Sequence, residues 1–173
     1  MFVKLNCTGV TIVAFDGCIY QFRWQLNVFA LVFFFDASPL APRALVELPS
    51  PANITIVNLT IGLSSQSLLA ADAADGLAIV GCAFVGASAT GVRLGGANST
   101  LRDSEIAHCG NQGLELSGGN WNELGPTLFA SVNLSVLNNT FRRWGRWQRV
   151  PQAAGMTWGG VGHVVASNIF RDS

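Results

Sequence analysis

Apolar residues recur at a fixed spacing along residues 53–173. With segments beginning at Asn53, Gly76, Asn98, Asn133 and Gly162 aligned, Ile56, Ile79, Leu101, Val136 and Val165 fall at the fourth place. Ile61, Phe84, Ile106, Phe141 and Phe170 fall at the ninth place. Between them, at the sixth place, stand Asn58, Gly81, Asp103, Asn138 and Ser167, all turn formers. Side chains alternate along a strand, so inward positions an odd number of residues apart cannot share one flat strand. The chain must bend between them, and Asn, Gly and Asp tolerate the left-handed conformation that a bend requires. The spacing predicts two short strands per repeat with a corner at the sixth place. Stacked Asn and Asp corners would hydrogen-bond from one repeat to the next.

A third strand is predicted fifteen residues after each start: Gly91–Gly96, Gly113–Gly118 and Gly155–Gly160, with Leu68 equivalent to Gly91 in the first repeat. Apolar residues alternate there with single outward polar residues. Trp158 aligns with Leu94 and Leu116 and is assigned to the core. The starts lie 23, 22, 35 and 29 residues apart, the last two spacings being 22 with insertions of 13 and 7. Three strands per repeat of about 22 residues predict an all-β, right-handed parallel β-helix solenoid of five coils over residues 53–173. A leucine-rich repeat would need an asparagine-punctuated leucine pattern, and a sandwich would not hold three strand positions in step. Residues 1–52 form a separate, poorly assigned segment. There, residues 9–13 and 44–48 read as solenoid strands around an apolar insertion.

Composition narrows the function classes. Half of the 173 residues are hydrophobic and 12% are charged, too apolar for disorder. Ten basic and ten acidic residues balance to zero, without the basic footprint of a nucleic-acid binder. The longest apolar run, residues 28–35, is too short to span a bilayer and lies too far from Met1 for a signal peptide. The acids are scattered over different coil places, which argues against calcium or another metal. No cofactor is expected. His108 and His163 read as turn residues rather than ligands. Cys82 and Cys109 are offset along adjacent coils, which disfavours a disulfide between them. Sequons begin at Asn6, Asn53, Asn58, Asn98, Asn133 and Asn138, but Asn58 and Asn138 are predicted corner residues and poor acceptors for glycosylation.

The coil pattern resembles the pectate-lyase-like right-handed β-helix superfamily. The stretches 114–119, Asn139-Thr140-Phe141, Trp144-Gly145-Arg146-Trp147-Gln148-Arg149, Gly160-Val161-Gly162 and 168–172 resemble a group of bacterial right-handed β-helix repeat proteins. That group includes or neighbours β-helix glycoside hydrolases that act on plant or algal polysaccharides. The resemblance covers residues 53–173. It implies a polysaccharide or oligosaccharide partner, and the sequons are in keeping with an extracellular or cell-surface location.

Both insertions flank the sheet of the third strand, and solenoids commonly place insertions on the binding face. The outward residues of that sheet are Arg93, Glu115 and Thr157. With Trp121, Trp144, Arg146, Trp147 and Arg149 they supply the mixture of aromatic faces and hydrogen-bonding groups that a sugar site uses. Each has a purely structural alternative. Trp144 and Trp147 would pack the long loop onto the solenoid, the arginines would be solvated or paired, and Glu115 would pair with Arg93 on the neighbouring coil. Glu115 and Asp172 are the candidate catalytic acids. Glycoside hydrolysis needs two carboxyl groups at a defined separation, and only Glu115 and Glu123 lie near this face. Two function classes stay open: a β-helix glycosidase or polysaccharide lyase scaffold, and a non-catalytic carbohydrate-binding or structural surface β-helix. Neither end of the sequence reads as a solenoid cap, so the chain is expected to be a fragment lacking its full catalytic set.

Overall fold

The computed structural model describes residues 44–117, 132–147 and 153–173, and the backbone of 11–15 and 18–22. The predicted insertions lie largely, and Trp121, Glu123 and Arg149 entirely, outside the described residues. The described residues from 44 onward form a right-handed parallel β-helix. Three parallel sheets of five strands form its faces. The first contains β4 (Thr55–Val57), β7 (Ala78–Val80), β10 (Thr100–Arg102), β13 (Ser135–Leu137) and β16 (Val164–Ala166). The second contains β5 (Thr60–Ser64), β8 (Ala83–Ala87), β11 (Glu105–Ala107), β14 (Thr140–Arg142) and β17 (Ile169–Arg171). The third contains β3 (Ala44–Glu47), β6 (Ser67–Asp75), β9 (Val92–Ala97), β12 (Leu114–Ser117) and β15 (Met156–Trp158).

Strand register follows the apolar spacing. Ile56, Ile79, Leu101, Val136 and Val165 pair in one row. Ile61, Phe84, Ile106, Phe141 and Phe170 pair in another. Val92, Leu114 and Met156 begin the inward positions of the third sheet. These rows stack into one continuous core in which Ile56, Ile79, Phe84, Leu94, Leu101 and Phe141 are fully buried. Phe141 and Phe170 stack face to face, with ring centroids 4.7 Å apart.

Every non-glycine residue with positive φ among the described residues sits at the first, sixth or eleventh place of a coil. The sixth-place corner is the predicted one, occupied by Asn58, Asp103, Asn138 and Ser167 at φ of 52–57° and by Gly81 at 63°. A Cβ at Gly81 would lie 2.6 Å from the Asn58 Oδ1, so a larger residue there would require the Asn58 side chain to move. Asn138 donates to the Asp103 Oδ1 at 2.8 Å, as expected of stacked corners. The eleventh-place corner, formed by Leu63, Gly86, His108, Arg143 and Asp172, carries no compositional signature. A second, buried ladder lies one residue beyond the sixth place. Asn139 Oδ1 accepts from the Ser104 N–H at 3.0 Å, and Asn168 Oδ1 accepts from the Asn139 N–H at 2.9 Å.

Two expectations are corrected. Trp158 is in register with Leu94 and Leu116, but no described strand covers its coil, and it is 59% exposed. Val165 and Phe170 are uncovered for the same reason. Residues 44–47 do form a solenoid strand. Residues 11–13, by contrast, do not join a solenoid sheet: β1 (Thr11–Phe15) pairs antiparallel with β2 (Cys18–Phe22), Phe15 in register with Cys18, while residues 9 and 10 lie outside the described residues. The intervening sequence Asp16-Gly17 is a pair that two-residue hairpin connections favour.

Candidate functional site

The outward row of the third sheet runs Glu47, Ala70, Arg93, Glu115, Thr157, one residue per coil. Arg93, Glu115 and Thr157 therefore share one face, as the spacing predicted. A bulge in β6 adds a fourth member. Two residues, Asp72 and Ala73, stand where the partner strand β9 has one, and both are exposed. The bulge is the extra residue of the 23-residue first repeat. Bulges re-aim side chains, and here the Asp72 carboxylate reaches the Arg93 Nη2 at 3.4 Å.

Glu115 approaches the same guanidinium from the other side, with Oε2 3.4 Å from the Arg93 Nε. Gln112, on the turn between β11 and β12, donates to the Glu115 Oε2 at 3.3 Å and accepts from the Thr157 Oγ1 at 2.7 Å. Asp72, Arg93, Glu115, Gln112 and Thr157 thus form one polar network spanning four coils. It retains unmet capacity: the Arg93 Nε is buried without a well-directed hydrogen bond, since Glu115 lies off its N–H direction. The buried Asn111 Oδ1, on the turn beside the network, is also unpaired. Buried polar atoms are rarely left unpaired, so the network and the turn beside it are incompletely satisfied by protein groups alone.

That turn carries the aromatic group. The Gly145 N–H donates to the Asn111 carbonyl at 2.8 Å, and the Trp147 N–H donates to the Gly110 carbonyl at 2.9 Å. The Trp147 Cδ1 rests against the space where a Gly110 Cβ would be, yet the residue is 76% exposed. One edge of the indole is anchored and the remainder faces solvent. Trp144 behaves differently: it is half-buried, packs on the core and meets Phe170 edge-on at 6.1 Å. Arg146 lies beside His108, its Nη1 3.4 Å from the ring Nδ1, while Arg143 approaches the Nε2 at 3.5 Å. Burial, then Arg143, Arg146 and Arg142, hold the His108 pKa below its ordinary value, against the opposing pull of Glu105.

Of the candidate residues, the structure brings Arg93, Glu115 and Thr157 into one network and sets Arg146 and Trp147 on the adjoining turn. Asp172 lies elsewhere, at the eleventh-place corner, where its carbonyl accepts from the Arg143 N–H at 3.0 Å. Asp72 and Gln112 were missed by the sequence reading. The irregular first repeat was the available signal for Asp72. Gln112 gave none.

A second, shallow groove follows the sixth-place corner, where Gly81 and Ala83 leave a gap between Asn58 and Thr60 below and Asp103 and Glu105 above. Its polar groups are largely consumed internally: Asp103 pairs with Arg102 and Asn138, and Glu105 with Arg142. Among the described residues no three acidic, histidine or cysteine side chains gather as metal ligands. Cys82 and Cys109 are free and buried, and burial pushes the Cys109 thiol up to about 12. His163 accepts from the Leu134 N–H at its Nδ1, 3.1 Å away, and its Nε2 meets the Gly159 carbonyl at 2.9 Å, which makes it a structural bridge. No described helix is long and apolar enough to cross a membrane.

No protein-family model, curated protein or solved structure matches the chain.

Proposed function

We propose that this β-helix binds a polysaccharide or oligosaccharide along the third sheet, over Arg93, Glu115, Gln112 and Thr157 and against Trp147. The observation that carries the reading is the half-exposed polar network of Arg93, Glu115, Gln112 and Thr157 beside a turn that anchors an exposed indole. Pyranose rings present an apolar face that packs on aromatic rings and hydroxyl groups that both donate and accept. The resemblance to polysaccharide-acting β-helix proteins points the same way, and an extracellular or cell-surface location accompanies it.

Binding without hydrolysis is the better-supported form. Asp72 and Glu115 share one guanidinium, which is the arrangement of a bridging ion network rather than of a separated acid and base. One observation favours a catalytic reading. Asp72 and Glu115 each lie 3.4 Å from nitrogens of one guanidinium, which keeps the two carboxyl groups within about the separation that inverting glycosidases use. A glycan array followed by a reducing-sugar assay on the retained glycan separates the two. Retention without new reducing ends supports a binding module. Reducing ends that disappear in Glu115→Gln support hydrolysis. Absence of any retained glycan refutes the proposal.

A further inference from the structure

We propose that the corner formed by His108, Arg143 and Arg146 is a site for a tetrahedral oxyanion, and that the glycan held on the adjoining face carries sulfate ester groups. The glycan half of this statement rests on the carbohydrate reading above; the anion site does not.

The geometry begins with the backbone. His108 and Arg143 hold the eleventh place of successive coils, both in the left-handed region at φ of 58° and 55°. The His108 N–H donates to the Arg142 carbonyl at 3.1 Å, so the two corners are stacked. Arg146 is delivered by the turn that anchors Trp147, its own N–H donating to the Cys109 carbonyl at 3.3 Å. Each ring nitrogen of His108 then faces a guanidinium nitrogen, at 3.5 Å and 3.4 Å.

A guanidinium only donates, and a neutral imidazole has a single accepting nitrogen. One of the two contacts therefore sets N–H against N–H, and in the imidazolium both do. An acceptor with several oxygens removes the conflict by taking bonds from all three side chains. Among the described residues no carboxylate lies within ion-pair distance of Arg143 or Arg146, and Glu105 is engaged by Arg142. Three donor side chains suit the three terminal oxygens of a sulfate ester better than the two of a carboxylate. Trp147 is the next residue after Arg146 and offers its exposed ring to the sugar that bears the ester.

The arrangement couples binding to protons. The charged groups around His108 are Arg142, Arg143, Arg146 and Glu105, with Asp172 one coil beyond Arg143 in the same column. The arginines oppose protonation of the ring, and a bound anion offsets them. Anion binding therefore takes up a proton and strengthens as pH falls toward and below 6.5, the ordinary histidine value.

The test follows the ring resonances of the chain's two histidines by NMR, titrating with sodium sulfate against chloride at matched ionic strength. Retention on a sulfated polysaccharide and on its desulfated counterpart is measured in parallel. Sulfate should raise the apparent pKa of His108, the ring resonances of His163, engaged by Leu134 and Gly159, serving as the internal reference. The Arg143→Gln/Arg146→Gln double variant should lose the shift and weaken retention on the sulfated polymer by about tenfold or more. His108→Asn, a residue that tolerates the same backbone conformation, should remove the pH dependence of retention. Equal retention of the two polymers overturns the sulfated-glycan assignment while leaving carbohydrate binding standing. A His108 response to sulfate without retention of either polymer supports the anion site and overturns the carbohydrate reading. No His108 response to sulfate overturns the anion site.

Discussion

Replacing Asn139 by Ala should be among the most damaging single changes to a polar side chain in the solenoid. Asn139 is 1% exposed. Its Oδ1 accepts from the Ser104 N–H at 3.0 Å, and its Nδ2 donates at 3.0 Å to both the Leu101 carbonyl and the Asn168 Oδ1. Truncation strips partners from two buried main-chain groups of the preceding coil, the Ser104 N–H and the Leu101 carbonyl. Each buried group left unpaired costs about 1–3 kcal/mol. The Leu101 carbonyl retains a second lone pair, which lowers its share, so the expected total is about 2–4 kcal/mol. Asn138, its exposed neighbour in sequence, loses one exposed hydrogen bond and a residue type suited to the corner, so Asn138→Ala should cost about 1 kcal/mol. Urea denaturation followed by far-ultraviolet circular dichroism measures both, the slope reporting whether the unfolded states are comparable. If Asn139→Ala proves no more destabilising than Asn138→Ala, the buried ladder does not hold the corners as described.

Other consequences follow from the corners, the core and the charge cluster. Leu63 is held at φ 57° with half its surface exposed. Left-handed backbone costs a non-glycine residue about 1–2 kcal/mol, so Leu63→Gly should stabilise by roughly 0.5–1 kcal/mol after the added chain entropy is subtracted; a lower melting temperature would contradict this. Phe84 is fully buried between Ile61 and Ile106, and Phe84→Ala should destabilise by about 3–5 kcal/mol in the same denaturation assay. The folded His108 pKa lies below its ordinary value of 6.5, so the unfolded chain binds the proton more readily. His108 should therefore detract from stability increasingly as pH falls through 6.5 and the lowered folded value, with no penalty above. His108→Asn should flatten that limb of the stability–pH curve, and an unchanged curve would refute the assignment.

The solenoid was legible because its core demands apolar residues at fixed intervals, and because four of the five sixth-place corners are Asn, Gly or Asp. The register of Ile56 through Val165 and of Ile61 through Phe170 followed from spacing alone. The eleventh-place corner was not legible, since Leu63, His108 and Arg143 adopt the left-handed conformation against their own preference, held by hydrogen bonds to adjacent coils. Trp158 was misjudged for a related reason: alignment reports which way a side chain points, whereas burial depends on the coil stacked above it. The outward row of Arg93, Glu115 and Thr157 could be read from alternation. Recruitment of Asp72 depends on the bulge in β6, which the sequence records only as a repeat longer by one residue. Gln112 joins the network through a turn whose path no periodicity encodes.

The central claim is that the third sheet and Trp147 together form a glycan-binding face. Its most direct measurement is the affinity of the wild-type chain and of Trp147→Ala for a glycan retained on an array, with circular dichroism establishing an unchanged fold. Loss of an aromatic platform predicts binding weaker by about 1–3 kcal/mol in the variant. Equal affinity in the two proteins, or no glycan bound by the wild type, would contradict it.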